Sequence, residues 1–277
     1  MKPNSITGIV ISGKLCSGKG SFFSEFKKLV GSDKIISLAF ADKLKIFGKY
    51  FLVQIANQKD NNLRIPAKRV AELMRQQLFN NEIDLNIIEE KLYILANQPH
   101  TLEYAKPGLK MFQDTNEFPE QDFGFDDLDK LLWIDCNKPR KFLQELGTEC
   151  VRSIKDSAWI DYTLSIADRH PDCCGLVLDG RFLNEIEFCR ERGFLDVRIE
   201  ASEKTRLQRG KERDGQDYSA MLSHASENSL DDHQFSVYIN NDGTIEEFRE
   251  AIWSQLKDLI IELRQKFAVA QADTDLL

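Results

Sequence analysis

Apolar positions recur along this chain in two rhythms. Short continuous runs rich in β-branched residues read as buried strands: "GIVISG" (Gly8 to Gly13), "KIISLAF" (Lys34 to Phe40), "GLVLDG" (Gly175 to Gly180), "LDVRIEA" (Leu195 to Ala201) and the start of "FSVYINNDGT". Between them the apolar spacing is helical, as in Phe22, Phe23, Phe26, Leu29 and Val30, or Leu44, Phe47 and Phe51. "LNEIEFCRERG" reads as a helix closed by Gly193, and "SEKTRLQRGKERDG" as one with Ser202 at its N-cap. Thr244 and Glu247 form a capping box for a last helix whose stripe is Phe248, Ile252, Leu256, Leu259, Ile260 and Leu263. Strands alternating with helices, without an internal repeat, predict an α/β fold built on a doubly wound parallel sheet. Ligands of such sheets sit at the carboxyl ends of the strands, where Gly13, Asp42, Asp179 and Asn241 are expected to converge.

Residues 57–138 break this rhythm. "AKRVAELMRQQLF" and "IDLNIIEEKLYILAN" predict two helices, followed by a stretch rich in Asp, Glu, Phe and Pro as far as Asp129. The segment reads as a mostly helical insertion within one domain spanning 1–277: a substrate lid, a dimer surface or a solvated excursion. "RKFLQELGTECVRSIKDSAWIDYTLSIADRH" then predicts two or three helices with a break at Gly147.

With 42% hydrophobic and 30% charged residues in 277, the composition is that of a soluble globular protein. No apolar run reaches the length of a membrane span and the start lacks the pattern of a signal peptide, so the expected compartment is the cytoplasm. Six cysteines without metal spacing read as reduced thiols. A net charge of −8 argues against a nucleic-acid polymer as partner. A phosphate ligand would need a local basic pocket.

That pocket has candidates. "GKLCSGKGS" contains GxxxxGK as Gly13, Gly18 and Lys19, after a predicted strand and before a predicted helix. In this context backbone amides cradle the β- and γ-phosphates of a nucleotide and the lysine offsets charge during transfer. Gly20 follows the lysine, so the hydroxyl arrives one residue late, at Ser21. Asp179 ends a strand, the place for an acid that holds the waters of Mg²⁺, or else a turn residue. Arg181 projects from the same rim, towards the site or into a surface ion pair. Arg206, Arg209 and Arg213, spaced i, i+3, i+7, put three guanidinium groups on one helical face, which suits a lid over about 203–230 closing on transferring phosphates. Trp159 shares a helical face with Thr163, Ile166 and Ala167, so it reads first as a core residue and second as a surface for stacking a base.

Taken with these residues, the sequence resembles the nucleoside monophosphate kinase group of phosphate-loop kinases, in which glycine follows the lysine and the hydroxyl comes next. "FADKLK", "LQELGTECVRSIKDSAW", "LDGRFLNEIEF", "HASENSL" and "INNDGT" are similar to stretches of the phage-type deoxynucleoside monophosphate kinases, over residues 8–56 and 140–265. "LDGRF" departs from the family's usual "DVRF". The resemblance implies that Gly13 to Ser21, including Ser17, Gly18 and Gly20, bind ATP phosphates, with Lys19 stabilising the transfer and Ser21 meeting Mg²⁺. It implies that Asp42 and Lys45 face the monophosphate substrate and that Arg152 and Arg181 grip its phosphate. Asn241, Asp242 and Gly243 would lie beside the adenine. The expected partners are a nucleoside monophosphate and, with no residue to carry it, a second copy of the chain. Phosphomevalonate kinases and dephospho-coenzyme A kinases share much of this framework and remain alternatives, as does a nucleotide-regulated binding protein without acceptor phosphorylation.

Overall fold

The computed structural model describes residues 7–111, 118, 128–214 and 228–274, the side chains of 213–214 and 269–274 excepted. The chain divides into two compact units, Met1–Ala39 with Ala167–Leu277, and Phe40–Ile166.

The first unit is built on five parallel strands, β1 (Gly8–Ser12), β2 (Ile35–Leu38), β3 (Cys174–Gly180), β4 (Phe194–Glu200) and β5 (Val237–Asn240), in the order β2-β3-β1-β4-β5. The helices are α1 (Lys19–Val30), α9 (Leu183–Glu191), α10 (Glu203–Asp214) and α11 (Ile245–Thr274), the last kinked at Leu256, and they cover both sides of the sheet. Strand alternation decides what each side receives. Ile9, Ile11, Leu176, Val197, Ile199 and Ile239 face α1 and α11, packing on Phe22, Phe26, Phe248, Ile252 and Leu263. Asp196 and Arg198 fall on the opposite side of β4, towards α9.

Register is regular between β1 and β4, from Gly8 opposite Phe194 to Ser12 opposite Arg198. Between β1 and β3 it slips, so that Val10 pairs with Val177 but Ser12 with Gly180. The extra residue in β3 is a bulge at the rim, a feature that re-aims side chains there. The connection from β1 leads to β2 and that from β4 to β5, in opposite directions along the sheet. The carboxyl ends of β1 and β4 therefore flank the point where the strand order reverses, and ligands of open α/β sheets bind at such a point.

The second unit, among the described residues, is helical: α2 (Phe40–Ala56), α3 (Arg64–Leu78), α4 (Leu85–Ala96), α5 (Pro99–Tyr104), α6 (Leu128–Leu132), α7 (Arg140–Glu145), a π-helix (Leu146–Arg152) and most of α8 (Ala158–Arg169). Asp84 caps α4 by accepting from the Asn86 amide at 2.9 Å, and Pro99 opens α5 where its missing N–H has no helical partner to lose. Phe47, Phe51, Val70, Met74, Leu92, Phe142 and Leu146 are buried in its interior. The helix predicted to break at Gly147 instead widens into the π-helix, and the Trp159 indole N–H donates to the Gly147 carbonyl at 3.2 Å. The acidic stretch 112–117 and 119–127 and the segment 215–227, which holds most of the expected lid and the start of "HASENSL", lie outside the described residues.

Candidate functional site

The glycine-rich loop leaves β1 at Gly13 and enters α1 at Lys19. Two residues take left-handed backbone conformations, Cys16 at φ 61° and Gly18 at φ 100°. Gly18 tolerates this without strain, and a Cβ there would strike the carboxamide of Asn241. A Cβ on Gly13 would run into the Ser17 hydroxyl and come within 2.8 Å of the Ile199 carbonyl oxygen. Close approach thus sets both glycines, and at Gly18 the left-handed conformation does so as well.

The Ser17 amide donates to the Lys14 carbonyl at 3.0 Å, and the Phe22 amide to that of Gly18 at 2.9 Å, which closes the first turn of α1. The Lys19 ammonium reaches back to the carbonyls of Gly13 and, at 3.3 Å, Lys14, spanning the loop it ends. No side chain caps α1 and no acid lies in its first turn. A helix N-terminus of this kind favours an anion, on which the helix dipole also acts.

A cleft of about 670 Å³ opens over this surface, lined by Leu15 to Ser21 together with Arg181, Arg209 and Glu212. Among the described residues three cations, Lys19, Arg181 and Arg209, and one acid, Glu212, thus line this concavity. The Arg181 amide donates to Glu185 Oε2 at 2.7 Å and the Phe182 amide to the same oxygen at 3.1 Å, which fixes the turn carrying Arg181. Gly180 has no room for a side chain: a Cβ would lie 2.9 Å from Ile186 Cδ1 and 3.1 Å from Val10 Cγ2. Asp179, half-buried, precedes Gly180 at the end of β3.

Of the arginine row, Arg209 donates to the carbonyl of Asn241 at 2.8 Å and that of Gly243 at 3.4 Å, so it braces the turn after β5 while lining the cleft. Arg206 is 6% exposed; its Nε donates to the Ala201 carbonyl at 3.2 Å and its Nη1 is buried with no hydrogen-bond partner among the described residues. The side chain of Arg213 lies outside the described residues. The Asn241 carboxamide, 5% exposed, donates to the Ser17 carbonyl at 2.8 Å, and so this turn holds the loop directly. The Asp242 carboxylate accepts from the Ser202 amide at 2.7 Å, and this bond is the main reason its pKa is depressed to about 2.

The remaining sequence candidates belong to the helical unit. Lys45 pairs with Asp42 at 3.0 Å and with Asp129 at 3.4 Å, and Asp129 also pairs with Lys138 at 2.6 Å. Burial pushes the Asp129 carboxyl up, but Lys45 and Lys138 outweigh it and hold it below the usual aspartate range. Arg152 closes the π-helix, with Asp156 at 4.0 Å. Trp159 is 4% exposed, with Phe47 at 6.4 Å between ring centroids, an interior position.

Sequence reasoning passed over Lys14, Arg198, Asp231 and Glu185, all of which touch the loop or the Arg181 turn. A signal existed for one of them. Asp196 and Arg198 alternate with Val197 and Ile199 in a strand read as buried on both faces, where polar groups require partners. Arg198 finds Ser12 and Asp231, and Asp196 finds Arg190 and Ser236.

Fold and site together define an α/β protein with an all-parallel sheet and a glycine-rich loop at the carboxyl end of its central strand. No protein-family model and no curated protein matches the chain significantly. Among the described residues no helix is long and apolar enough to cross a membrane.

Proposed function

We propose that this protein is a phosphate-loop kinase that transfers the γ-phosphoryl group of ATP to the phosphate of a (deoxy)nucleoside 5′-monophosphate, giving the diphosphate and ADP. The observation that carries the reading is the uncapped N-terminus of α1, entered through a loop with two left-handed residues and facing a cleft with Lys19, Arg181 and Arg209. Such a surface fits a polyphosphate better than any neutral ligand.

An oxygen of the acceptor phosphate forms the new bond to the γ-phosphorus while the bond from that phosphorus to the bridging oxygen breaks, and ADP leaves with the electron pair. The acceptor is already an anion at neutral pH, so no side chain must take its proton. The protein's work is alignment of two mutually repelling groups and compensation of their charge. Loop amides and Lys19 act on the donor, and Arg181 and Arg209 supply further positive charge at the rim. The resemblance assigns the acceptor to Asp42, Lys45 and Arg152 as well.

Ser21 and Asp179, a hydroxyl and a carboxylate, are the hard oxygen donors that would hold Mg²⁺, which neutralises phosphate charge when bound. Among the described residues no cluster of three or more His, Cys, Asp or Glu gathers. Such a sparse donor set suits an ion that keeps most of its waters and draws other ligands from phosphate.

A coupled ADP-release assay with dNMPs, NMPs, phosphomevalonate and dephospho-coenzyme A as acceptors tests the reading. Release stimulated by a nucleoside monophosphate is expected. Stimulation by one of the other two acceptors alone would reassign the substrate, and ATP binding without stimulation by any would reject a kinase.

A further inference from the structure

Beside the loop a single carboxylate joins two cations. Asp231 Oδ2 accepts from Lys14 Nζ at 2.7 Å, and its Oδ1 from Arg198 Nη2 at 3.1 Å. Lys14 Nζ also donates to Asn228 Oδ1 at 3.1 Å, and Arg198 Nη1 to the Ser12 hydroxyl at 2.9 Å. The Arg198 guanidinium lies 5.6 Å from the centre of the Phe235 ring. Ser229, two residues before Asp231, donates its hydroxyl to the Arg181 carbonyl.

The contacts fall on both sides of Gly13, on Ser12 and on Lys14. The Lys14 carbonyl is the acceptor for the Ser17 amide and one of the acceptors for Lys19. The side chains this carboxylate reaches, Lys14 directly and Ser12 through Arg198, thus belong to residues on whose backbone the loop folds. A fully exposed ion pair would count for little. Here the side chain of Arg198 is only 10% exposed, and a guanidinium so far from water needs its counter-charge.

We propose that Asp231 is a positioning residue for the glycine-rich loop. With one oxygen on Lys14 and the other on Arg198, it sets the Ser12 to Lys14 backbone in the form that receives the nucleotide phosphates. The inference rests on the kinase reading above and deepens it. Asp231 is itself an anion, and near a polyphosphate its direct effect is repulsive. A loss of affinity on its removal therefore reports positioning, whereas a gain would report charge alone.

The test is calorimetric titration of the full chain with ATP and Mg²⁺, with steady-state kinetics, for wild type, Asp231→Ala and Asp231→Glu well below each melting temperature. Asp231→Ala is expected to bind ATP about tenfold more weakly, the loss of one or two charge-assisted hydrogen bonds. Its KM for ATP should rise in step while the acceptor KM stays within about twofold, a split that general loosening of the fold would not give. Asp231→Glu should recover most of the affinity. Unchanged or tighter ATP binding by Asp231→Ala overturns the proposal. Should that variant not fold, Asp231→Asn keeps an oxygen for one cation only and should show a smaller loss in the same direction; wild-type affinity there overturns the proposal equally. Wild-type protein that binds no ATP overturns the kinase reading and this inference together, whereas ATP-binding wild type with an indifferent variant overturns this inference alone.

Discussion

The carboxamide of Asn241 donates to the carbonyl oxygen of Ser17 at 2.8 Å, joining residues 224 positions apart in the chain. The turn after β5 is thereby a brace for the loop after β1, and Arg209 secures the brace from the other side through the Asn241 carbonyl. Asn241→Ala leaves the Ser17 carbonyl without this donor in a buried setting, at a cost of about 1–3 kcal/mol. Urea unfolding should show the lowered midpoint, and hydrogen exchange should show faster exchange in the loop. A midpoint equal to wild type would mean that the contact holds nothing.

Lys19 spans the loop through the carbonyls of Gly13 and Lys14, both of which water can satisfy when it is gone. Lys19→Ala is expected to keep the fold, with a melting temperature within a few degrees of wild type. Under the proposed function, turnover should fall on the order of 100-fold or more, the scale of removing one preorganised charge from a phosphoryl-transfer site. Near-normal turnover would reject the role given to this lysine.

Gly180 packs where a side chain has no space, between Ile186 of α9 and Val10 of β1. Gly180→Val should therefore cost about 1–3 kcal/mol through overpacking. It should also displace the turn that carries Arg181. Thermal unfolding measures the first effect, and a wild-type melting temperature would contradict the close packing.

Asp196 is 1% exposed and receives Arg190 Nε at 2.9 Å, Arg190 Nη2 at 2.7 Å and the Ser236 hydroxyl at 2.6 Å. Burial pushes its pKa up, but the hydrogen bonds from Arg190 and Ser236 outweigh this and hold it below the ordinary 3.8. A depressed folded-state pKa stabilises the protein above the unfolded value, and that contribution is lost as pH falls from there through the folded value. Wild-type stability should thus decline below about pH 4, the ordinary aspartate range. Asp196→Asn should be about 1–3 kcal/mol less stable at pH 7, with a flatter acid limb, because the charge-assisted bonds from Arg190 are lost while Arg190 itself, 36% exposed, stays within reach of water. Guanidinium unfolding between pH 3 and 7 checks both the offset and the slope.

Trp159 separates two readings of one residue, interior packing and stacking on a base. Trp159→Phe removes the hydrogen bond to the Gly147 carbonyl while keeping an aromatic ring, at about 1 kcal/mol. If the residue serves only the interior, the acceptor KM stays within about twofold of wild type. A large rise in that KM with unchanged stability would restore the stacking reading.

The elements were legible because each carries its own periodic signal. Apolar β-branched runs marked all five strands, the stripe from Phe248 to Leu263 marked α11, and Thr244 with Glu247 caps it as the spacing predicts, at 2.8 and 3.2 Å. The loop from Gly13 to Lys19 was equally plain, since strand, glycine turn and helix are local in sequence. Strand order and the slipped register of β3 were not, because pairing partners lie far apart and no local pattern names them. The same holds for the bonds that shape the loop. Arg198 and Asp231 reach it only after the sheet has set β4 beside β1, so their roles follow from tertiary distance, while the helical and strand periods follow from the chain itself.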